Sequence, residues 1–306
     1  MGREFDVVIL GSGPAGLQAA VHAARAKADV VILGRLQSSS LYKAHIENYC
    51  CMADTMSGET VLNEGRNQAK KFGAEILDED VLHIEREKDG RFRVATESGE
   101  SILTWALILA MGISRNRLNV PGEKEFLGKG VSYCVDCDAN FFRNQVVTVI
   151  GDGSAAASGA LRLLLIAEET HLVCDSLAVS DHLRDQVESS RIQIHTGRKV
   201  TRVLGDNEVQ AVLLDNGAKI ETSGVFIELG AKGAIELASG LGVALDAETM
   251  RFVAANRKQE TNIPGIYAAG DICGPPWQMA KAVGEGCVAG LEAATYARRA
   301  AAGREQ

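Results

Sequence analysis

Glu4-Phe5-Asp6-Val7-Val8-Ile9-Leu10 is an apolar run that ends in Gly11-Ser12-Gly13-Pro14-Ala15-Gly16. An alanine-rich stretch, Leu17 to Ala26, follows, and then a second apolar run, Asp29 to Leu33. A run with no polar alternation reads as a parallel strand buried on both faces, and parallel neighbours need a crossover helix. The segment is therefore a βαβ unit. Glycines at 11, 13 and 16 permit a tight turn, close approach of a pyrophosphate, and close packing of helix on strand, with the helix N-terminus facing the phosphates. The pattern recurs: Val146 to Ile150 leads into Gly151-Asp152-Gly153-Ser154-Ala155-Ala156, a helix over 157–167 and a strand over 170–173. Two such units set the fold class as α/β with two Rossmann-like dinucleotide-binding domains.

The two units part at their second strands. The first ends in Gly34-Arg35, where an acid ordinarily holds a ribose. The second ends in Cys174-Asp175-Ser176, with Asp175 about 24 residues after Gly151, close to the spacing at which an acid meets a ribose 2′-hydroxyl. A net charge of −8 and 5% aromatic residues argue against nucleic-acid and anionic-membrane partners, which need a basic face and stacking surfaces. No apolar run approaches a membrane span, and no signal-peptide pattern precedes the first strand. Seven cysteines, scattered through 306 residues, suit a reducing cytoplasm, where a C-x-x-C is catalytic or metal-binding more often than a staple.

That C-x-x-C is Cys134-Val135-Asp136-Cys137, followed directly by Asp138. Read alone it is either a redox dithiol or half a zinc site. The six histidines show no ligand spacing with any cysteine, which weakens the zinc reading, and no metal site is expected. As a dithiol, the pair has in Asp138 an acid placed to pass a proton to or from a leaving thiolate.

Near the other end, Thr261 to Ala269 forms a short strand that ends in Gly270-Asp271, and Trp277-Gln278-Met279-Ala280 opens a helix. This resembles the second flavin fingerprint of two-dinucleotide-domain flavoproteins. The resemblance implies that Asp271 binds the ribityl chain of FAD and that the following helix points its N-terminus at the isoalloxazine. With Ile46-Glu47-Asn48-Tyr49, Phe72-Gly73-Ala74-Glu75, both glycine-rich loops, and Cys134 to Asp138, the order of motifs resembles low-molecular-weight thioredoxin reductases over essentially the whole chain.

The resemblance implies a discontinuous FAD domain, residues 1–113 and 246–306, in three-layer ββα form. A second such domain, residues 114–245, is inserted and carries the C-x-x-C. It implies a homodimer and a domain rotation that swings the dithiol between flavin and a thioredoxin-like or small disulfide substrate. Carried over, Cys137 faces the flavin, Cys134 attacks the partner disulfide, and Asp138 is the acid/base. The FAD contacts would be Gly11, Gly13, Pro14, Ala15, Gly16, Asn48, Ala110, Gly112, Gly270, Asp271, Gln278, Met279 and Ala280. A second dinucleotide would use Gly151, Gly153, Ser154, Ala155, Ala156 and Asp175.

The departures concern the electron donor. The family's NADPH site has acids where this chain has Ser158-Gly159, and a His-Arg-Arg run where it has Cys174-Asp175-Ser176. A carboxylate in place of two guanidiniums repels a 2′-phosphate, so NADPH is disfavoured. NADH, the ADP half of a second FAD, or reduction by ferredoxin remain, and the surviving Gly151, Gly153, Ala156 fingerprint favours the second flavin slightly. Arg115, Arg117, Lys124 and Lys129 are candidates for a basic docking patch, with a solvated loop as the plainer reading. Alternatives for the whole protein are an oxygen-using dithiol oxidase, an NADH-dependent disulfide reductase and a non-enzymatic flavoprotein redox sensor. Adjacent Cys50 and Cys51 are expected to be buried as small apolar residues near the flavin, Cys174, Cys273 and Cys287 to be packed or inert, and Trp277 either to stack near a flavin ring or to plug the surface.

Overall fold

The computed structural model describes residues 2–50, 52–113, 117–230 and 233–303. Cys51 and Arg115 lie outside the described residues. The chain divides into two compact units, residues 1–96, 100–114 and 233–306 in the first, 97–99 and 115–232 in the second.

The first unit runs β1 (Arg3–Leu10), α1 (Pro14–Arg25), β2 (Val30–Leu33), β3 (His45–Ile46), β4 (Met56–Ser57), α2 (Gly58–Lys71), β5 (Glu75–Leu77), β6 (Val81–Arg86), β7 (Phe92–Thr96) and β8 (Ser101–Leu109). Its main sheet has the order β5-β2-β1-β8-β7-β6. The pairings β5–β2–β1–β8 are parallel and β8–β7–β6 antiparallel, so the nine residues of β8 serve both layers. The unbroken apolar run of β1 now has its reason: Val7 and Ile9 face a helix layer, while Val8 and Leu10 face the core lined by Phe92, Val94 and Ile102. Ser57 caps α2 by accepting the Thr60 N–H at 3.1 Å.

The second unit contains β9 (Val131–Ser132), α3 (Val135–Asp138), β10 (Val146–Ile150), α4 (Ser154–Leu163), β11 (Glu169–Cys174), α5 (Asp181–Glu188), β12 (Gln193–Thr196), β13 (Val200–Gly205), β14 (Val209–Leu214), β15 (Lys219–Glu221) and β16 (Gly224–Ile227). A parallel sheet, β12-β11-β10-β16-β9, faces an antiparallel one, β13-β14-β15, across a core of Ile150, Val173, Val203, Val212 and Val225.

The chain then re-enters the first unit with α6 (Ala234–Gly240), β17 (Ile266–Ala268) and α7 (Met279–Ala302). The return comes earlier than the expected 246. Leu237, Ala238 and Val243 are buried in the core with Val8 and Leu10, which ties residues 233–245 to the first unit. β17 joins β8 in parallel. Small residues let α7 lie directly on α1: a Cβ on Gly286 would stand 2.2 Å from the Ala15 carbonyl oxygen, and one on Gly290 2.3 Å from that of Ala19. Among the described residues no helix is long and apolar enough to cross a membrane.

Candidate active site

Three glycines of the first loop have three different reasons. Gly11 sits at φ +111°, and a Cβ there would stand 2.4 Å from the Ala110 carbonyl oxygen. A Cβ on Gly16 would stand 1.9 Å from the Gly11 carbonyl oxygen, so this glycine lets helix meet strand. Gly13 has an ordinary extended conformation, φ −82° and ψ −177°, and a Cβ would meet only Ser39 Oγ at 3.4 Å. The protein itself does not require glycine at 13. The space left there opens on the start of α1, which begins without a side-chain cap and with proline in its first turn, as an anion-binding helix start does. The Ser12 hydroxyl donates to the Gly34 carbonyl, tying this loop to the end of β2. Arg35, standing where a ribose-binding acid is usual, pairs with the buried Asp80 at 2.6 Å.

The other residues implied for FAD also lie in this unit. Ala110 and Gly112 follow β8, with Gly112 at φ +68° and no atom within 4 Å of its missing Cβ. Gly270, at φ +87°, follows β17, and its amide donates to Glu285 Oε2 at 2.8 Å while its carbonyl accepts from Lys281 Nζ at 2.8 Å. An acid–base pair on α7 thus fixes the turn that presents Asp271. Burial raises the Asp271 carboxyl above its ordinary value, Lys281 pulls it back and Glu285 pushes it up. Gln278 is the N-cap of α7 and accepts from Asn48 Nδ2 at 3.1 Å, joining two implied contacts that are far apart in sequence. Met279 and Ala280 form the first turn of α7. An open cradle at Gly13, two adjacent helix starts free of side-chain caps, and a carboxylate on a fixed turn fit a dinucleotide with a ribityl chain.

The second loop has the same turn in different surroundings. Gly151, at φ +152°, packs its missing Cβ 2.0 Å from the Glu228 carbonyl oxygen, and Ala156 fills the third position. At Gly153, however, a Cβ would stand 2.6 Å from the carbonyl oxygen of Gly230, and that oxygen accepts the Ala155 N–H at 3.1 Å. The chain beyond β16 therefore occupies the direction that is open above Gly13. Ser154 is fully buried at the first position of α4. Asp175 is held through its backbone, its N–H donating to Asp152 Oδ1 at 2.6 Å, while its exposed carboxylate lies 3.8 Å from Lys199 Nζ. That lysine, distant in sequence, tempers the repulsion expected from Asp175 alone.

Cys134 and Cys137 form a disulfide, with Cα atoms 5.3 Å apart. Cys134 is the N-cap of α3, its Sγ accepting the Cys137 N–H at 3.1 Å. Ser132, buried at the end of β9, connects the segment: its Oγ accepts the Cys134 N–H at 3.1 Å and donates to Asp138 Oδ2 at 2.6 Å. Buried Glu228 accepts the Val135 N–H at 2.9 Å, and Asp136 Oδ1 lies 2.6 Å from Arg162 Nη1 on α4. Ser132, Glu228 and Arg162 are absent from the residues the sequence singled out. An acid closing an apolar parallel strand, as Glu228 does, was the available signal.

Among the described residues no cluster of histidines, cysteines and acids has metal-binding geometry. Cys50 is exposed, against the expected burial: it lies in the loop between β3 and β4, in a turn closed by the Met52 N–H donating to the Tyr49 carbonyl. Cys174 is buried and its thiol pushed up by burial, and burial pushes that of Cys273 to about 12. Trp277 is half exposed and packs on Phe252 with ring centroids 5.6 Å apart. Arg117, Lys124 and Lys129 are solvated, in a loop organised by buried Glu123, which accepts the N–H groups of Leu118 and Val120.

The family model for pyridine nucleotide-disulphide oxidoreductases matches residues 5–301. Among curated relatives, the thioredoxin reductase of Escherichia coli O157:H7 is 33% identical over 318 residues, covering 96% of each chain. Among solved structures, the atypical thioredoxin reductase TRi of Desulfovibrio vulgaris Hildenborough is 35% identical, with a TM-score of 0.83 over 96% of this chain and 98% of its own. A ferredoxin-flavin thioredoxin reductase of Clostridium acetobutylicum is 30% identical, with a TM-score of 0.69 over 98% and 100%.

Proposed function

The chain belongs to the pyridine nucleotide-disulphide oxidoreductase family, as a thioredoxin reductase-like flavin-dependent disulfide oxidoreductase, and we propose from that premise that it reduces the disulfide of a thioredoxin-like protein through Cys134 and Cys137, with electrons that do not come from NADPH. The carrying observation is the disulfide itself, with Asp138 held beside it by the Ser132 hydroxyl. Bound FAD supplies a two-electron couple. The chain's own groups do the exchange. Once the Cys134–Cys137 bond is reduced to two thiols, Cys134 Sγ attacks one sulfur of the partner disulfide, forming a mixed disulfide and expelling a thiolate that takes up a proton. Cys137 Sγ then attacks Cys134 Sγ, restoring the Cys134–Cys137 bond and freeing the second partner thiol. Asp138, the neighbour of Cys137, carries the protons. Phe141, 77% exposed in the turn that follows, offers an apolar contact for a protein substrate.

Two routes for the electrons follow from the sequence departures: a second FAD in the second loop, or an external iron–sulfur donor of the ferredoxin type. The Gly230 carbonyl at the start of α4 favours the external donor, because a pyrophosphate there would have to displace a chain segment and leave the Ala155 N–H to be satisfied anew. NADH stands behind both, on Asp175. The protein is expected to work in a reducing cytoplasm and as a homodimer, with half-exposed Leu291 of α7, beside Phe72 and Arg25, as the apolar surface to cover.

The test is a single turnover. Enzyme reduced anaerobically with dithionite and freed of reductant is mixed with oxidised thioredoxin-like proteins. Reoxidation of the flavin with release of two partner thiols is expected, and its loss in Cys134→Ser and Cys137→Ser. Flavin that stays reduced with every disulfide offered but yields peroxide rapidly with oxygen would make the protein a dithiol oxidase instead.

A further inference from the structure

The disulfide segment carries an unusual concentration of acids. Asp136 lies inside the four-residue ring, and Asp138 follows it. From β16, Glu228 reaches the Val135 N–H at 2.9 Å. On the approach, Tyr133 donates its hydroxyl to buried Glu123 at 2.6 Å. Each carboxylate near a thiol disfavours the thiolate, and the thiolate is the attacking species. Asp136 and Asp138 flank Cys137 directly in the chain, and acids so placed slow a dithiol at neutral pH.

One interaction opposes this. Arg162, in the last turn of α4, places Nη1 2.6 Å from Asp136 Oδ1. The ion pair is positioned by packing as well as by charge: Val135 lies against α4 at Gly159, where a Cβ would come within 2.9 Å of the valine methyl, so α3 sits directly over the turn that bears Arg162. Asp138 is engaged with Ser132, and Arg143, beyond the 3-10 turn Ala139–Phe142, reaches Asn140 Oδ1 at 3.4 Å. Arg162 is a cation in direct contact with the acid within the ring.

We propose that Arg162 is a positioning residue for the Cys134/Cys137 dithiol, neutralising and orienting Asp136 so that a thiolate is available near neutral pH. This rests on the reading of the pair as a redox dithiol. Reduction of the disulfide takes up two electrons and two protons, and ionisation of one thiol returns one proton. Arg162 acts on that last equilibrium. It therefore also favours the reduced form and moves the pair toward a more oxidising potential. α4 is the helix that follows the second glycine-rich loop, and here its outer turn serves the dithiol.

Arg162 is nearly half exposed, so its replacement leaves the core intact. The test follows iodoacetamide labelling of the Cys134 and Cys137 peptides by mass spectrometry against pH, on fully reduced full-length holoprotein. Arg162→Ala is expected to move the profile upward by about half a unit to one unit and to slow labelling at pH 7 by about threefold to tenfold, a fraction of the shift seen for buried pairs because the site is partly solvated. Arg162→Lys should restore part of the rate. Asp136→Asn should speed labelling, and the double variant Asp136→Asn/Arg162→Ala should return close to wild type. Superimposable profiles for wild type and Arg162→Ala would overturn the proposal, as would a double variant as slow as Arg162→Ala alone. Failure of the parent reading is separate: it shows as undiminished turnover in Cys134→Ser, whatever the labelling profile.

Discussion

Gly13 and Gly153 occupy the same place in two copies of one turn. Both follow a buried parallel strand, both are N-caps of an alanine-rich helix, and both have extended backbones. Beyond Gly13 the nearest atom to a Cβ is a serine hydroxyl at 3.4 Å. Beyond Gly153 it is the Gly230 carbonyl at 2.6 Å, already bonded to the helix. The first-position glycines do the same structural work in both loops, packing against Ala110 in one and Glu228 in the other, and the small last residue packs against that first glycine in each. Whether the cradle is open is decided by the chain after the neighbouring strand, residues 110–112 against 228–230, which no G-x-G-x-x-G pattern reads.

The contrast has consequences of decreasing size. Gly13→Ala should leave the melting temperature of the apoprotein unchanged and cut flavin retention on purification by tenfold or more, since only a ligand needs that space. Retained flavin in this variant would place the cofactor elsewhere. Released FAD should amount to one per chain after denaturation, and a ratio near two would mean that the Gly230 segment moves aside for a second flavin.

Asp271→Asn is the next in size. Burial raises the folded pKa of this carboxyl, so its favourable contribution to folding exists only below its ordinary titration near pH 4 and is lost as pH rises through the raised value. At pH 7 the apoprotein variant should melt higher than wild type, with the advantage gone at pH 4, while flavin affinity falls by roughly tenfold through loss of a charged hydrogen-bond acceptor. Equal melting at both pH values would remove burial as the cause.

Gly153→Ala reverses the pattern of Gly13→Ala. It should leave flavin content unchanged and destabilise by about 1–3 kcal/mol in urea melts, because the new methyl meets backbone. The smallest effect concerns labelling of the native protein at pH 8, where Cys50 should react while Cys174 and Cys273 stay protected, burial having raised both thiols.

Much of this was legible in the sequence. The strands β1 and β10, the helices after them, and a helix opening at residues 278–280 behind the Gly270-Asp271 turn all followed from apolar runs, glycine spacing and a family pattern. Three things were not. Helix α4 begins at Ser154, before the expected 157, because fingerprint residues can be loop or first turn and only the observed cap decides. The return crossing fell at 233 because Leu237 and Ala238 are a short apolar stretch whose core is chosen by tertiary contact. Lys199 meets Asp175, and Arg162 meets Asp136, through pairings of strands and helices that sequence distance hides.

The donor is the point on which the reading turns. On the proposed reading, flavin in the anaerobic enzyme should be bleached by reduced ferredoxin within the turnover time and stay oxidised with millimolar NADPH or NADH. Rapid bleaching by NADPH, with a charge-transfer band between nicotinamide and flavin, would contradict it.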